Sequence, residues 1–261
     1  ALGYYSLFAN TTGGNNVGVG YGALDANTTG NNNTSVGYSS LGAATTASGN
    51  TAVGRDAGKT IVTGTSNTAV GDSALATSTA SSNTAIGTEA LYSDTTGAQN
   101  TAVGAYALDA NTSSHGNTAV GYNSLTANTG EQNTAVGLGS LDANVGGAYN
   151  NAFGYNALGA NTSGTDNCAF GHAALDANTT ATFNAAFGGN SLTANTTGAS
   201  NTAMGARALQ ANTTAAYNTA VGHSALLANT TGAESVGIGY GALIAATTGN
   251  GNTAVGREAM K

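Results

Sequence analysis

Residues 100–121 read NTAVGAYALDANTSSHGNTAVG, and the pentapeptide that begins at Asn100 returns seventeen positions later at Asn117. The same string recurs along the chain. Its glycine, called the anchor glycine below, is spaced by 17 residues thirteen times and by 16 residues twice. A fixed period of this length indicates a solenoid of stacked repeats. The register never breaks, so the sequence predicts one continuous repeat domain over residues 1–261. The sixteen anchor glycines are Gly3, Gly20, Gly37, Gly54, Gly71, Gly87, Gly104, Gly121, Gly137, Gly154, Gly171, Gly188, Gly205, Gly222, Gly239 and Gly256.

The composition fits a repetitive structural protein and argues against several other classes. Glycine accounts for 40 of 261 residues, proline is absent and 7% of residues are charged, against about 25% in typical soluble domains. The net charge of −7 includes no basic run, which argues against nucleic acid and anionic membranes as partners. No apolar run approaches the roughly 20 residues that span a bilayer, so no membrane insertion is expected in this segment. The chain starts in mid-repeat at Ala1, and we interpret it as a fragment of a longer fibre.

Two apolar columns predict the core of each coil. The residue before the anchor glycine is apolar in every coil, and the residue four positions after it is leucine in fourteen of sixteen, with Gly58 and Met260 as exceptions. Alternation of apolar and other residues around the anchor is typical of a β-strand. We therefore predict an all-β parallel β-solenoid, or β-roll, of sixteen 17-residue coils. The predicted core includes Val19, Leu24, Val36 and Leu41, together with Phe153, Phe170 and Phe187, which we expect to stack in consecutive coils.

Two further columns contain only small residues. The position two before the anchor glycine is Ala, Gly or Ser, and the position three after it is Ala or Ser. Smallness indicates close backbone approach, and we expect this face to pack against neighbouring chains in a homotrimer. A short helical turn in the ALxAN segment remains an alternative, although the segment is far shorter than the ~12 to 15 residues that favour an isolated helix.

Asparagine lies four positions before the anchor glycine in nearly every coil, as at Asn33, Asn50 and Asn67. Stacked asparagines form amide ladders in stacked β structures, and we predict such a ladder here. The NTTG segment predicts a second corner, because Asn and Gly tolerate positive φ. Both one-residue deletions, before Asn83 and Asn133, fall in this loop region, where length changes are tolerated best.

Aromatic and titratable residues provide few candidate sites. Tyr4, Tyr21 and Tyr38 follow three consecutive anchor glycines; they form either a strip for stacking on sugars or a coil-to-coil stack that stiffens the protein, and we favour the stack. His172 and His223 lie three coils apart, about 14 Å at ~4.8 Å per coil, too far to share a metal ion. His115 is isolated in a loop.

The remaining polar columns favour structural roles. A column of aspartates, Asp25, Asp109, Asp142 and Asp176, reads as a solvated edge and matches no calcium loop. The lone Cys168 forms neither an intramolecular disulfide nor a metal site, and no metal or cofactor is expected. Glycosylation sequons recur because the turn sequence repeats. Examples begin at Asn27, Asn111, Asn161, Asn178, Asn195, Asn212 and Asn229.

The run of AVG, two free positions, Ala or Ser, and a later Ala and Gly turn resembles the head repeat of trimeric autotransporter adhesins, the YadA-like left-handed parallel β-roll. The resemblance covers every coil. It departs in length, because that family's usual repeat is shorter and lacks the insertion seen here at Asn27, Thr28 and Thr29. Long repeats of bacteriophage tail fibres are also similar. The resemblance implies a homotrimer that attaches to host-surface glycan or protein, and it carries over no catalytic residues.

The sequence therefore predicts a structural or adhesive extracellular fibre segment, on a bacterial cell surface or a virion, and not an enzyme. Two alternatives remain. One is a subunit of an extracellular filament that assembles end to end. The other is an ice-binding β-solenoid that presents a threonine ladder beside the Gly turn, with Thr11, Thr28, Thr45, Thr79 and Thr95.

Overall fold

The computed structural model describes residues 1–261 and contains fifteen strands of three residues each and no helix. All of the regular secondary structure consists of short strands, which are joined by turns. The chain divides into two compact units, Ala1–Glu131 and Gln132–Lys261. Each unit is a parallel β-solenoid with 17-residue spacing, and the two comprise about 14 turns.

The first unit contains β1 Val17–Val19, β2 Thr34–Val36, β3 Thr51–Val53, β4 Thr68–Val70, β5 Thr84–Ile86, β6 Thr101–Val103 and β7 Thr118–Val120. The second contains β8 Thr134–Val136, β9 Asn151–Phe153, β10 Cys168–Phe170, β11 Ala185–Phe187, β12 Thr202–Met204, β13 Thr219–Val221, β14 Val236–Ile238 and β15 Thr253–Val255.

Within each unit, every strand pairs in parallel with the next strand in sequence, and equivalent columns face each other. Thr51, Ala52 and Val53 of β3 pair with Thr68, Ala69 and Val70 of β4. The deletion before Asn83 leaves the pairing of β4 with β5 in the same register. The loop absorbs the missing residue, as predicted. The strand assignment and the parallel solenoid are confirmed.

The strands direct their middle residue inward, which corrects the predicted core. The alanine two positions before the anchor glycine is fully buried in almost every coil, whereas the residue directly before the anchor is half-buried or exposed. Val19, Val36, Phe153 and Phe170 are half-buried, and Phe187 is exposed, so this column does not form the interior. Leu24 and Leu41 are fully buried, which confirms that column.

The interior of each coil is narrow. This explains why the column before the anchor glycine does not form the core, and why small residues occupy the inward positions. A Cβ built on Gly18, which occupies the inward strand position, would lie 3.2 Å from Cγ of Leu7. Only Ala, Ser or Gly fits opposite the leucine, so the larger Val and Phe side chains occupy the outward positions of the strand. The predicted seam of small residues is therefore the interior of the coil and not an outer face.

The segment after each anchor glycine forms two consecutive turns and no helix, so the helical alternative is wrong. The amide of Ala107 donates to the carbonyl of Gly104 at 3.4 Å, and that of Asn111 donates to Leu108 at 3.1 Å. The leucine column adopts left-handed φ values of 48–54°. This conformation costs about 1 to 2 kcal/mol for a side chain with a Cβ, and burial of leucine, worth about 1.5 to 3 kcal/mol, offsets it.

Candidate functional surfaces

The asparagines four positions before the anchor glycine form a continuous hydrogen-bonded ladder within each unit. The backbone amide of Asn50 donates to Oδ1 of Asn33 at 3.0 Å, and that of Asn67 donates to Oδ1 of Asn50 at 2.9 Å. Nδ2 of Asn50 also donates to the carbonyl oxygen of Gly64 at 2.9 Å. These buried amides are satisfied by the protein itself, so their role is structural.

A second asparagine ladder, seven positions after the anchor glycine, was not predicted as a ladder. Nδ2 of Asn161 donates to Oδ1 of Asn144 at 2.8 Å and to the carbonyl oxygen of Gly164 at 3.0 Å. Nδ2 of Asn178 donates in turn to Asn161 at 2.8 Å. The first residues of the seven predicted sequons all lie in this column and are fully buried. Their side chains are inaccessible to a modifying enzyme in the folded chain. The recurrence of Asn at this one position was the available signal.

The second ladder is interrupted where another residue replaces asparagine. Ala44 follows Asn27, and Ala246 follows Asn229, and in both cases the asparagine Oδ1 is left without a donor. Each interruption therefore leaves one buried acceptor unsatisfied, at a cost of about 1 to 3 kcal/mol.

Asp94 occupies the same column and is a buried carboxyl group. Burial raises its pKa to about 6, opposed by hydrogen bonds from Ser78, Asn111 and the Gly97 backbone and by the charge of His115. Ser78 Oγ donates to Oδ2 at 2.8 Å, and Asn111 Nδ2 donates to Oδ1 at 3.1 Å. Asp94 therefore occupies the position that asparagine holds in other coils, and Ser78 and Asn111 hydrogen-bond to it as members of the same column.

The tyrosine strip is present as a stack. The Tyr4 and Tyr21 ring centroids are 5.7 Å apart, and those of Tyr21 and Tyr38 are 5.3 Å apart with nearly parallel planes. The three side chains are exposed. Because Tyr21 lies between two rings, both of its faces are covered, and only the edges of that ring face solvent. The geometry supports the stiffening role over sugar stacking.

All three histidines are exposed, and two of them stack on tyrosines of neighbouring coils. The ring of His172 stacks on Tyr155 with centroids 5.4 Å apart, and that of His223 stacks on Tyr240 at 5.6 Å. Nδ1 of His115 accepts a hydrogen bond from the backbone amide of Ala98 at 2.9 Å. No group of three or more His, Cys, Asp or Glu side chains is gathered where it could hold a metal ion.

The aspartate column lies at the edge of the coils. Partial burial raises the pKa of Asp109, with the nearby charge of Glu89 adding to the effect, and partial burial raises the pKa of Asp176 against the opposing charge of His172. Asp25 lines a shallow hollow with Gly42 and Lys59. These carboxylates form no paired constellation.

Two threonine columns differ in how their hydroxyl groups are used. The corner threonines, eight positions after the anchor glycine, donate to the next coil: Thr11 Oγ1 donates to the Thr28 carbonyl at 2.9 Å and Thr79 Oγ1 to the Thr95 carbonyl at 2.9 Å. The hydroxyls of the first strand residues, such as Thr51 and Thr68, have no protein partner in the structure. The threonine column predicted as an ice-binding face is therefore occupied by backbone hydrogen bonds.

The outward residues of the strands form a surface that sequence reasoning misplaced. We call it the outer stripe and define it as the residues one and three positions before each anchor glycine. It contains no charged residue. Val53 is 38% exposed and Ile86 40% exposed in the first unit, and Met204 is 47% exposed in the second. The stripe also includes the predicted phenylalanine stack, with ring centroids 4.5 Å apart for Phe153 and Phe170 and 5.0 Å apart for Phe170 and Phe187.

Comparison with known proteins gives no relative for this chain. No protein-family model, no curated protein and no solved structure matches it. None of the structure's elements is a helix long and apolar enough to cross a membrane.

Proposed function

We propose that this chain is a structural and adhesive segment of an extracellular fibre, of the bacterial-surface or tail-fibre type that its repeat resembles, and that it assembles as a homotrimer without catalysing a reaction. The outer stripe is the observation that carries the proposal. An uncharged face that repeats in register in every coil is unusual on a soluble monomer, where large exposed apolar patches mark interaction sites.

A second copy of the chain is the occupant that fits the outer stripe. Thr and then Val or Ile occupy the two outward positions in nine of the fifteen strands. In a parallel arrangement, a second copy therefore presents like residues to like residues within each unit. The three-phenylalanine segment adds large apolar rings to the same face. In a closed threefold arrangement the stripes of the three chains face a common axis. The other long apolar columns, formed by Leu and Ala, are already buried in the interior.

The solution mass tests assembly directly. Light scattering coupled to size exclusion is expected to give three times the 25.1 kDa chain mass. The variant Val53→Lys with Ile86→Lys introduces charges into the outer stripe and is expected to give a monomer. Val62→Lys is the matched control, because Val62 is 37% exposed, as Val53 is 38% exposed, but lies outside the stripe among the corner positions.

Cys168 provides a second readout without any mutation. It is the one cysteine of the chain and lies in the outer stripe on β10, partly exposed in the single chain. In an assembly through the stripe, a maleimide reagent is expected to label Cys168 slowly in the native protein and fast after denaturation. A monomeric mass with fast native labelling would contradict the proposal, and a mass that grows with concentration beyond three chains would indicate the end-to-end filament instead.

Ice binding is the second candidate, and one observation favours it. The first strand residues of β3 to β6 present hydroxyls without protein partners beside a Val or Ile in every coil: Thr51, Thr68, Thr84 and Thr101. This array lies on the strands and not on the predicted corner. The same face cannot serve both functions at once, so thermal hysteresis from a monomeric sample would support ice binding and its absence would exclude it.

A further inference from the structure

Three exposed aromatic side chains, called the ring row below, share one column of the second unit. Tyr149, Phe183 and Tyr217 each lie five positions before an anchor glycine, in every second coil. They are 53%, 63% and 65% exposed, respectively. None of the three has a stacking partner among the aromatic pairs, in contrast to the tyrosines that follow the anchor glycines.

The backbone at these residues is strained without a reward from packing. The φ angles are 60° at Tyr149, 60° at Phe183 and 62° at Tyr217, a region that bulky side chains avoid. The buried leucines tolerate a similar φ because burial offsets its cost, but the ring row is exposed. Each of the other coils has the same positive φ in this column, with glycine or a polar residue such as Asn15, Ser66 or Glu234 in place of the ring. The fold therefore sets this φ in every coil, whereas neither the backbone nor packing requires an aromatic side chain there. The three exposed rings point to a role in binding.

Backbone hydrogen bonds fix the spacing of the ring row. The amide of Phe183 donates to the Thr165 carbonyl at 3.2 Å, and that of Tyr217 donates to the Ala199 carbonyl at 3.2 Å. The intervening coils make the equivalent bonds, so the corners are stacked in register from coil to coil. Successive rings lie two coils apart, with one coil between them, which gives a spacing of about 9.5 Å. Rings this far apart do not stack on one another.

The geometry points to a linear neutral polysaccharide of β-1,4-linked pyranose units as the ligand of the ring row. In such an extended chain the sugars alternate in orientation, so every second ring presents the same apolar C–H face, which packs on aromatic rings. Asp166 and Ser200 occupy the column between the rings and are placed to hydrogen-bond sugar hydroxyls. The net charge of −7 disfavours an anionic polymer.

This inference names the ligand class for the adhesive part of the proposed function and rests on it. Binding is measured for the full chain by native electrophoresis in gels that contain hydroxyethyl cellulose, and by calorimetry with cellohexaose. The wild type is expected to be retarded. The triple variant Tyr149→Asn, Phe183→Asn and Tyr217→Asn is expected to bind at least tenfold more weakly, and alginate, an anionic polymer, is expected to retard neither protein.

Asparagine suits positive φ, so the triple variant is expected to melt at or above the wild-type temperature. The matched control is Tyr4→Asn, Tyr21→Asn and Tyr38→Asn, which removes three exposed rings from the other column and is expected to retain binding. Failure of the wild type to bind the glucan, or equal loss in the control, would overturn the inference. A change of mass in the ring-row variant would also overturn it, by showing that these rings contact another copy.

The two proposals fail separately. Light scattering on the same samples reports assembly independently of the glucan. A monomer that binds the glucan would refute the trimer and leave the ring row supported, whereas a trimer that does not bind it would refute the ring row alone.

Discussion

At the residue scale, the anchor glycine is required for two independent reasons. Gly104 has a φ of 131°, and a Cβ added there would lie 2.4 Å from the carbonyl oxygen of Gly121 in the next coil. Gly104→Ala is therefore expected to destabilise the protein by more than about 2 kcal/mol, from the sum of backbone strain and steric overlap. Gly189→Ala is the control, because nothing lies within 4 Å of its added Cβ and its φ is not in the left-handed region. Chemical denaturation of the two variants measures the difference; equal stabilities would contradict this explanation.

Also at the residue scale, the buried carboxyl group of Asp94 is expected to make the stability of the fold depend on pH. Its folded pKa of about 6 exceeds the ordinary 3.8, so the folded chain holds this proton more tightly than the unfolded chain. The ionised group therefore destabilises the fold above pH 6, and the penalty disappears as the pH falls towards 4. Asp94→Asn restores the ladder amide and is expected to stabilise the protein at pH 8 by on the order of 2 kcal/mol, with a smaller gain at pH 4.5.

Melting curves at the two pH values measure the effect of the Asp94 substitution. The control Asp142→Asn changes the same charge on an exposed side chain and is expected to give no such pH-dependent gain. A gain for Asp94→Asn that is equal at both pH values would show that burial of the charge is not its cause.

At the element scale, the coil around Gly58 shows how one repeat departs from the pattern and remains packed. Gly58 replaces the core leucine, and the fully buried Ile61 replaces the asparagine three positions later. A Cβ on Gly58 would lie 2.9 Å from Cδ1 of Ile61 and 3.1 Å from Cδ2 of Leu41. The isoleucine therefore fills the space that the missing leucine leaves.

A double-mutant cycle tests this compensation. Gly58→Leu alone overfills the coil, and Ile61→Asn alone leaves a cavity, so each is expected to cost about 2 to 4 kcal/mol. The two together restore the consensus, with the new amide facing the Gly64 carbonyl as in the other coils. The double variant is expected to lie within about 1 kcal/mol of the wild type, as measured by denaturant unfolding. Additive losses would show that the two positions are independent.

The elements were predictable where the sequence pattern has one physical reading. The period, the parallel register, the leucine core and the ladder through Asn33 and Asn50 follow from columns that only a stacked β structure explains. The facing of the strand was not predictable in this way. Ala and Val are neighbours in the strand and therefore lie on opposite faces. Hydrophobicity alone favours Val as the inward residue. The interior width, set by left-handed turns at residues such as Leu108, reverses that choice. The ring row was missed because its members recur only in every second coil.

At the scale of the whole molecule, assembly through the outer stripe predicts a stability that depends on concentration. If three chains fold and associate together, each tenfold increase in protein concentration favours the folded trimer by about 2.8 kcal/mol per trimer, or twice 1.4 kcal/mol. The melting temperature of the wild type is therefore expected to rise with concentration. That of the Val53→Lys, Ile86→Lys variant is expected to be lower and constant, because introduced charges on an otherwise uncharged face oppose association. A wild-type melting temperature that does not change across a hundredfold range would indicate that Leu and Ala in the interior, with the two asparagine ladders, suffice to fold one chain alone.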